Sequence, residues 1–362
     1  MKKILAVAAL AAATGPALAQ STVTLSGMLK AGFATTRYSN GATGNGSGQA
    51  VADGASRFII GGNEDLGGGL QAVFQIDTRF RVDDNGAAPT ASPLATGNTF
   101  VGLTGPFGAV TLGKRDTHYC YGADSHIARA TALQASSCGL LGFVGTTAIA
   151  NTLRASNVLR YDLPPLANWS GYLVYSTAWA TSGSEGAVGD AGKGGATAAQ
   201  LTYAAGRVRV GFSVWNARNE PETNGQKAAT VAGGYDFGVA NVGLTYDQSR
   251  LTVAGGKDTK RSVWSIPVTV PVGAGTVLFT YSRASDLQVG GATSASTGAS
   301  LWSLGYDHAL SKRTSVGVSY ASLDNRAAAA YNLYTQLSLA GHAATVAGQD
   351  AKQLYVGIRH LF

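Results

Sequence analysis

Chemistry in this 362-residue chain would have to rest on few groups, because it holds only five histidines and two cysteines. Two of the histidines follow an aspartate closely, His118 after Asp116 and His126 after Asp124. That arrangement could serve general acid–base work. His308, His342 and His360 are scattered, and a charge-solvating loop explains the two Asp/His pairs more simply, so no enzyme is expected. Cys120 and Cys138 are too few for a four-thiolate zinc site or a disulfide scaffold, and neither metal nor cofactor is expected. The glycine-rich stretches contain neither a GxxxxGK phosphate loop nor a GxGxxG between strand and helix. Lysine and arginine do not cluster with aromatics into a surface for nucleic acid. The groups left to consider are charges: Lys30, Arg57, Arg79, Arg154 and Arg160, with Asp77, Asp116 and Asp124 as their opposites.

Composition limits the elements that could position them. Glycine, at 49 residues, has roughly twice its usual share, while charged residues, at 13%, have about half of theirs. An apolar content of 45% argues against disorder. Met1-Lys2-Lys3, the apolar run Ile4 to Ala13, and Ala17-Leu18-Ala19 read as a signal peptide over residues 1–19. Residues 20–362 would then be the mature domain, with a net charge reduced from +7 to +5. No later window reads as a spanning helix. The nearest, Ala130 to Leu153, is uncharged but broken by Gly139, Gly142 and Gly145 and carries Gln134 and Asn151. An exported chain of this kind is either soluble or a membrane β-barrel.

Periodicity chooses the barrel. Residues 22–33 alternate apolar with small or polar side chains, as do 70–80, where Gln71, Gln75, Asp77 and Arg79 share one face. Fourteen further segments follow near 56–64, 97–104, 107–115, 155–162, 170–179, 197–205, 207–216, 227–236, 239–249, 261–270, 275–283, 299–308, 313–322 and 352–362. Short turns such as 64–69, 105–108, 205–206, 237–238, 271–274 and 309–312 alternate with long stretches at 37–55, 81–96, 116–153, 180–196, 284–298 and 323–351. The expected fold is therefore all-β: a 16-stranded antiparallel transmembrane β-barrel with long extracellular loops and short periplasmic turns. Trp and Tyr residues, among them Trp169, Tyr203, Trp215, Tyr246, Trp302 and Tyr355, fall mostly near strand ends and suit interfacial girdles. The chain stops on Phe362 after an alternating strand, which suits a closing strand in lipid better than a frayed soluble terminus.

These features resemble the general porins of the Gram-negative outer membrane, of the 16-stranded trimeric type found in β-proteobacteria. The resemblance rests on Val23-Thr24-Leu25-Ser26-Gly27, Ser56-Arg57-Phe58, Gly62 through Leu70, Val101-Gly102-Leu103 with Phe107-Gly108, Leu112-Gly113-Lys114, Asn157 through Tyr161, and Val356 through Phe362. It implies a homotrimer in the outer membrane, in contact with lipid and lipopolysaccharide. It also implies an assembly signal at Phe362 read by the insertion machinery. A third loop would fold inward and narrow the pore; residues 116–153 are the candidate, and their apolar Leu140, Leu141 and Phe143 suit an inner wall better than water.

Parity assigns the faces. Arg57 lies opposite Phe58 and Ile60, and Arg160 opposite Leu159 and Tyr161, so both point inward, as do Lys30, Arg79 and Arg154. The resemblance places Arg57 and Arg154 in the family's basic pore cluster, while Asn98 stands where that family usually has Arg. The expected function is passive diffusion of small hydrophilic solutes and ions, with a preference for anions. The other reading is a barrel with a largely plugged lumen, serving as a structural or adhesin protein. An oxidising compartment predicts a Cys120–Cys138 disulfide within the long loop.

Overall fold

The computed structural model describes residues 22–40, 46–54, 56–80, 82, 94–117, 130–134, 138–141, 154–177, 194–218, 224–333 and 346–362. The signal peptide expected over residues 1–19 lies outside them. The described strand segments are β1 (Thr22–Asn40), β2 (Gly46–Asp53), β3 (Arg57–Gly67), β4 (Leu70–Arg79), β5 (Thr99–Gly105), β6 (Gly108–Asp116) and β7 (Arg154–Asp162). Next come β8 (Trp169–Ser176), β9 (Ala196–Ala205), β10 (Val208–Arg218), β11 (Asn224–Asp236), β12 (Asn241–Val253) and β13 (Thr259–Val272). The last are β14 (Gly275–Ala284), β15 (Leu287–Val289), β16 (Ala292–Ser294), β17 (Ala299–Ala309), β18 (Thr314–Asn325) and β19 (Gln349–Leu361).

All of these segments belong to one antiparallel sheet closed by β1 on β19, from Met28 opposite Leu361 to Asn40 opposite Gln349. Segments outnumber staves because three staves are broken or extended. Along β1, β2 continues the line of β3. Along β13, β15 continues the line of β14, and its hairpin partner β16 continues β17. The cylinder therefore has sixteen staves, each carrying one of the segments read from periodicity. Two stretches expected as loops differ from that reading. Residues 37–55 contain the end of β1 and all of β2, and residues 284–298 hold the β15–β16 hairpin. Both are ladders extended above the membrane.

Closed β-structure is what lipid demands, since every backbone polar group must be satisfied within the wall. The outward face is apolar: Val23 and Leu25 are 68% and 66% exposed, and Phe33, Val101, Leu112, Leu173, Val231, Leu244 and Val356 are exposed likewise. The seam is fastened at Gly27, which exchanges backbone bonds with Phe362 (N to O 3.0 Å one way, 3.2 Å the other). A Cβ at Gly27 would collide with the Phe362 ring, so the bare glycine is the seat of the terminal aromatic. At the short-turn rim, Gly67, Gly68 and Gly69 all take positive φ, which side chains resist.

The aromatic girdle is real but smaller than expected. Trp169 stacks near Tyr203, and Trp302 near Tyr320, on the outward wall. Trp215 and Tyr355 point inward and are fully buried, Trp215 against Ala155, Val158 and Ala198. The Tyr355 ring lies over Gly32 and Gly357, whose missing side chains make room for it.

Candidate functional site

Strands β3 to β7 build one charged stretch of inner wall. Arg57 pairs in register with Arg79, and Arg160 with Thr111, so these side chains share a face as parity requires. Asp77 lies 3.5 Å from the Arg79 guanidinium. Its Oδ2 accepts from the Asn98 backbone N–H at 3.2 Å, and the Asn98 amide donates to Asp116 Oδ2 at 3.0 Å. Asp116 in turn holds Arg154 at 2.8 Å. Asn98 thus joins two ion pairs through hydrogen bonds where an arginine would have added charge.

The second half of the group centres on Asp162. Arg160 chelates it, with Nε 3.0 Å from each carboxylate oxygen, and Arg115 stands 3.6 Å away. Arg160 also donates to the Asp116 backbone carbonyl at 3.1 Å. Two of these guanidiniums lie over aromatic rings: Arg115 is 4.0 Å from the Phe100 centroid and Arg160 3.7 Å from that of Tyr172. Stacking suits the planar guanidinium and holds both side chains along the wall. Among the described residues of this wall, five arginines (57, 79, 115, 154, 160) stand with three carboxylates (77, 116, 162). Side chains of four of them keep 12–19% of their surface exposed.

The third loop leaves this wall after β6 and docks on the far side of the barrel. The Ala132 N–H donates to Asp307 Oδ1 at 2.7 Å, and the Gln134 N–H to Ser319 Oγ at 3.4 Å. Leu133 sits on a bare patch, where a Cβ at Gly305 or Gly317 would come within 2.6 or 2.7 Å of its methyls. Farther along, Arg261 donates to the carbonyls of Leu140 and Leu141, both at 2.7 Å, at the end of a helical turn, Cys138–Leu141. Leu140 and Leu141 are buried with Val263, Leu301, Leu323, Tyr331 and Leu333. Counting staves, the loop springs from the fifth and sixth and is held by the first, twelfth, fourteenth and fifteenth.

Lys30 behaves differently from its expected role. It points inward, but its ammonium donates to the Leu133 carbonyl and only 3% of the residue is exposed. It braces the loop from beneath and does not face open solution. The structure brings Arg57, Arg79, Arg154, Arg160, Asp77 and Asp116 together. Asp124, His118, His126 and Cys120 lie outside the described residues, so the expected disulfide to Cys138 lies there too. Sequence reasoning missed Asp162, Arg115 and Arg261 as site residues. The signal was present: Asp162 shares the face of Arg160 two residues earlier, and Arg261 stands at an inward position of β13.

The closed barrel, the inward third loop and the arginine-rich wall define a membrane channel of the porin class. The chain belongs to the Gram-negative porin family, whose model matches residues 6–328. It is 30% identical, over 100% of both chains, to outer membrane porin protein 32 of Delftia acidovorans. It is 31% identical to the major outer membrane protein P.IB of Neisseria meningitidis serogroup B, over 49% of this chain and 50% of that protein. Among solved structures it is similar to the anion-selective porin from Comamonas acidovorans, at 25% identity and a TM-score of 0.75, covering 95% of this chain and 100% of that one. OmpT of Vibrio cholerae shares the fold, with a TM-score of 0.64 at 16% identity over 94% and 98% of the two chains. The protein is an outer-membrane β-barrel porin, and its relatives are channels.

Proposed function

We propose that this porin is a passive diffusion channel for small hydrophilic solutes that prefers anions. The observation that carries this reading is the excess of guanidinium over carboxylate on one continuous inner face, opposite the docking wall of the third loop. In a narrow channel with low-dielectric walls, fixed charges focus the field. Arginine stays charged when partly desolvated, so successive guanidiniums replace part of an anion's hydration. The interleaved Asp77, Asp116 and Asp162 keep each site weak enough for release, as conduction requires. The same reading takes the protein as a homotrimer, exported by cleavage after residue 19 and assembled through its Phe362 terminus.

Reversal potential across a KCl gradient, with purified protein in a planar bilayer, tests the charge reading. Anion preference is expected, weakening as salt rises, because the screening length is about 8 Å at 0.15 M and shorter above it. R57A/R154A is expected to move the reversal potential toward zero. Cation preference at low salt refutes the charge reading. The absence of discrete conductance would favour a plugged barrel.

A further inference from the structure

The outward wall carries a second set of cations that the pore does not use. Arg261 reaches the third loop inside the barrel, so its neighbour Lys260 points outward. Lys260 pairs in register with Arg250, and Arg250 with Lys227. Three cations thus stand side by side on adjacent staves of the outer surface, all exposed. Side chains directly opposite across a strand pair are about 5 Å apart, and like charges so placed repel.

At the upper end of this row lies an open cleft of about 430 Å³, lined by Arg250, Lys257, Asp258, Lys260, Gln288 and Gly291 among others. Asp258 is the sole carboxylate among its lining residues. Arg250 bonds it, and that hydrogen bond holds its carboxyl below the ordinary aspartate range. Lys257 drapes its stem over Gly290, where a Cβ would come within 2.9 Å of it. One carboxylate against three lining cations, with Lys227 next to Arg250 in the row, leaves a positive cleft, so a multiply charged anion fits it.

Its height in the wall says where that anion comes from. Below the cations, Gln248 pairs with Ser262, and two residues further down Tyr246 pairs with Trp264. Trp264 stacks near Tyr281 at 5.2 Å, and the Tyr246 hydroxyl donates to Ser262 Oγ at 3.0 Å, toward the rim. Lys260 and Trp264 are four strand steps apart, about 13 Å along the chain. Aromatic belts mark the boundary of the hydrocarbon, so the cations stand at headgroup level on the long-loop side. Apolar Val231 stands level with Tyr246, and Leu244 continues the wall downward, where acyl chains would lie.

We propose that Lys227, Arg250, Lys257 and Lys260 form a docking site for the phosphate groups of an outer-leaflet glycolipid. Basic pockets at membrane surfaces recognise anionic headgroups in this way, and the lipid supplies the anions that relieve the repulsion within the row. The site is independent of conduction.

The test titrates purified full-chain protein in detergent with bis-phosphorylated lipid A, its dephosphorylated form, and inorganic pyrophosphate, read by native mass spectrometry. Wild-type protein is expected to bind the bis-phosphorylated lipid at least tenfold more tightly than either other probe. K227Q/K260Q should lose that preference, and K227R/K260R should keep it. Both variants should retain wild-type conductance and heat-modifiable gel mobility. Equal binding of the dephosphorylated lipid overturns the proposal, as does undiminished binding by K227Q/K260Q. Pyrophosphate binding as tight as the lipid's also overturns it, since the cleft would then be a site for free anions.

Discussion

Arg261→Leu asks how firmly the third loop is held. The guanidinium is 1% exposed and donates to two loop carbonyls at 2.7 Å, those of Leu140 and Leu141. Hydrogen bonds to charged groups contribute about 1.5–3 kcal/mol each, so this clamp holds the loop by roughly 3–6 kcal/mol. Burial of the Leu140 and Leu141 side chains adds about 1.5–3 kcal/mol apiece, a similar sum. Losing the clamp removes close to half of the local docking free energy. Even a 3 kcal/mol loss multiplies the undocked population by about 150.

The barrel itself should survive this substitution. Asp247, left without its arginine 3.4 Å away, keeps the Thr230 hydroxyl at 2.6 Å and that of Ser249 at 2.9 Å. The backbone ladders of β13 are untouched. Single-channel recordings of R261L should therefore show a noisier open state and closure at lower voltage, with wild-type heat-modifiable mobility. R261K should fall between, because an ammonium cannot fork two carbonyls. Unchanged current noise and closing voltage in R261L would refute the clamp.

Lys30→Met removes the brace beneath Leu133 but not a solution-facing charge; conductance should rise while the reversal potential stays fixed, and a shift in reversal potential would return Lys30 to the pore. Gly27→Ala drives a Cβ into the Phe362 ring, so the yield of heat-modifiable barrel should fall, and deletion of Phe362 should lower it further; normal yield from the deletion mutant would count against the seam. If Cys120 and Cys138 are bridged, alkylation of unreduced, denatured protein should label neither, and two labelled cysteines per chain would exclude the bridge.

The sixteen staves were legible because the period-2 pattern is imposed by lipid on one side and water on the other, and a one-residue slip would invert every side chain. Where neither phase presses, the pattern fades. Gly46–Asp53 reads GSGQAVAD, with little alternation, yet it forms β2 because β1 runs past the membrane and offers it a ladder. Trp215 and Tyr355 mislead for a related reason. Aromatics near strand ends usually mark the interface, but these two fill space inside a wall of alanine and glycine. Parity could be applied to Arg57, Arg79, Arg154 and Arg160, since it needs only the strand. It could not reveal that Lys30 lies beneath the third loop, because that contact joins residues 103 apart in the chain.

The inner wall is divided between two tasks, and the division explains why net charge alone misstates the channel. On β3 to β7, arginines alternate with carboxylates and keep part of their surface open. On the docking side the wall is smoothed by Gly305, Gly317 and Ser319, which let Leu133 and the loop backbone approach closely. Its two deep cations, Lys30 and Arg261, are capped by loop carbonyls. A charge buried against a carbonyl dipole contributes to packing and little to the field in the pore, because the dipole's negative end faces it. The positive field sensed by a solute should therefore follow the five guanidiniums of the β3–β7 wall. The +7 of the whole sequence is a poor guide to it, since the Lys227, Arg250 and Lys260 row faces outward, behind the barrel wall.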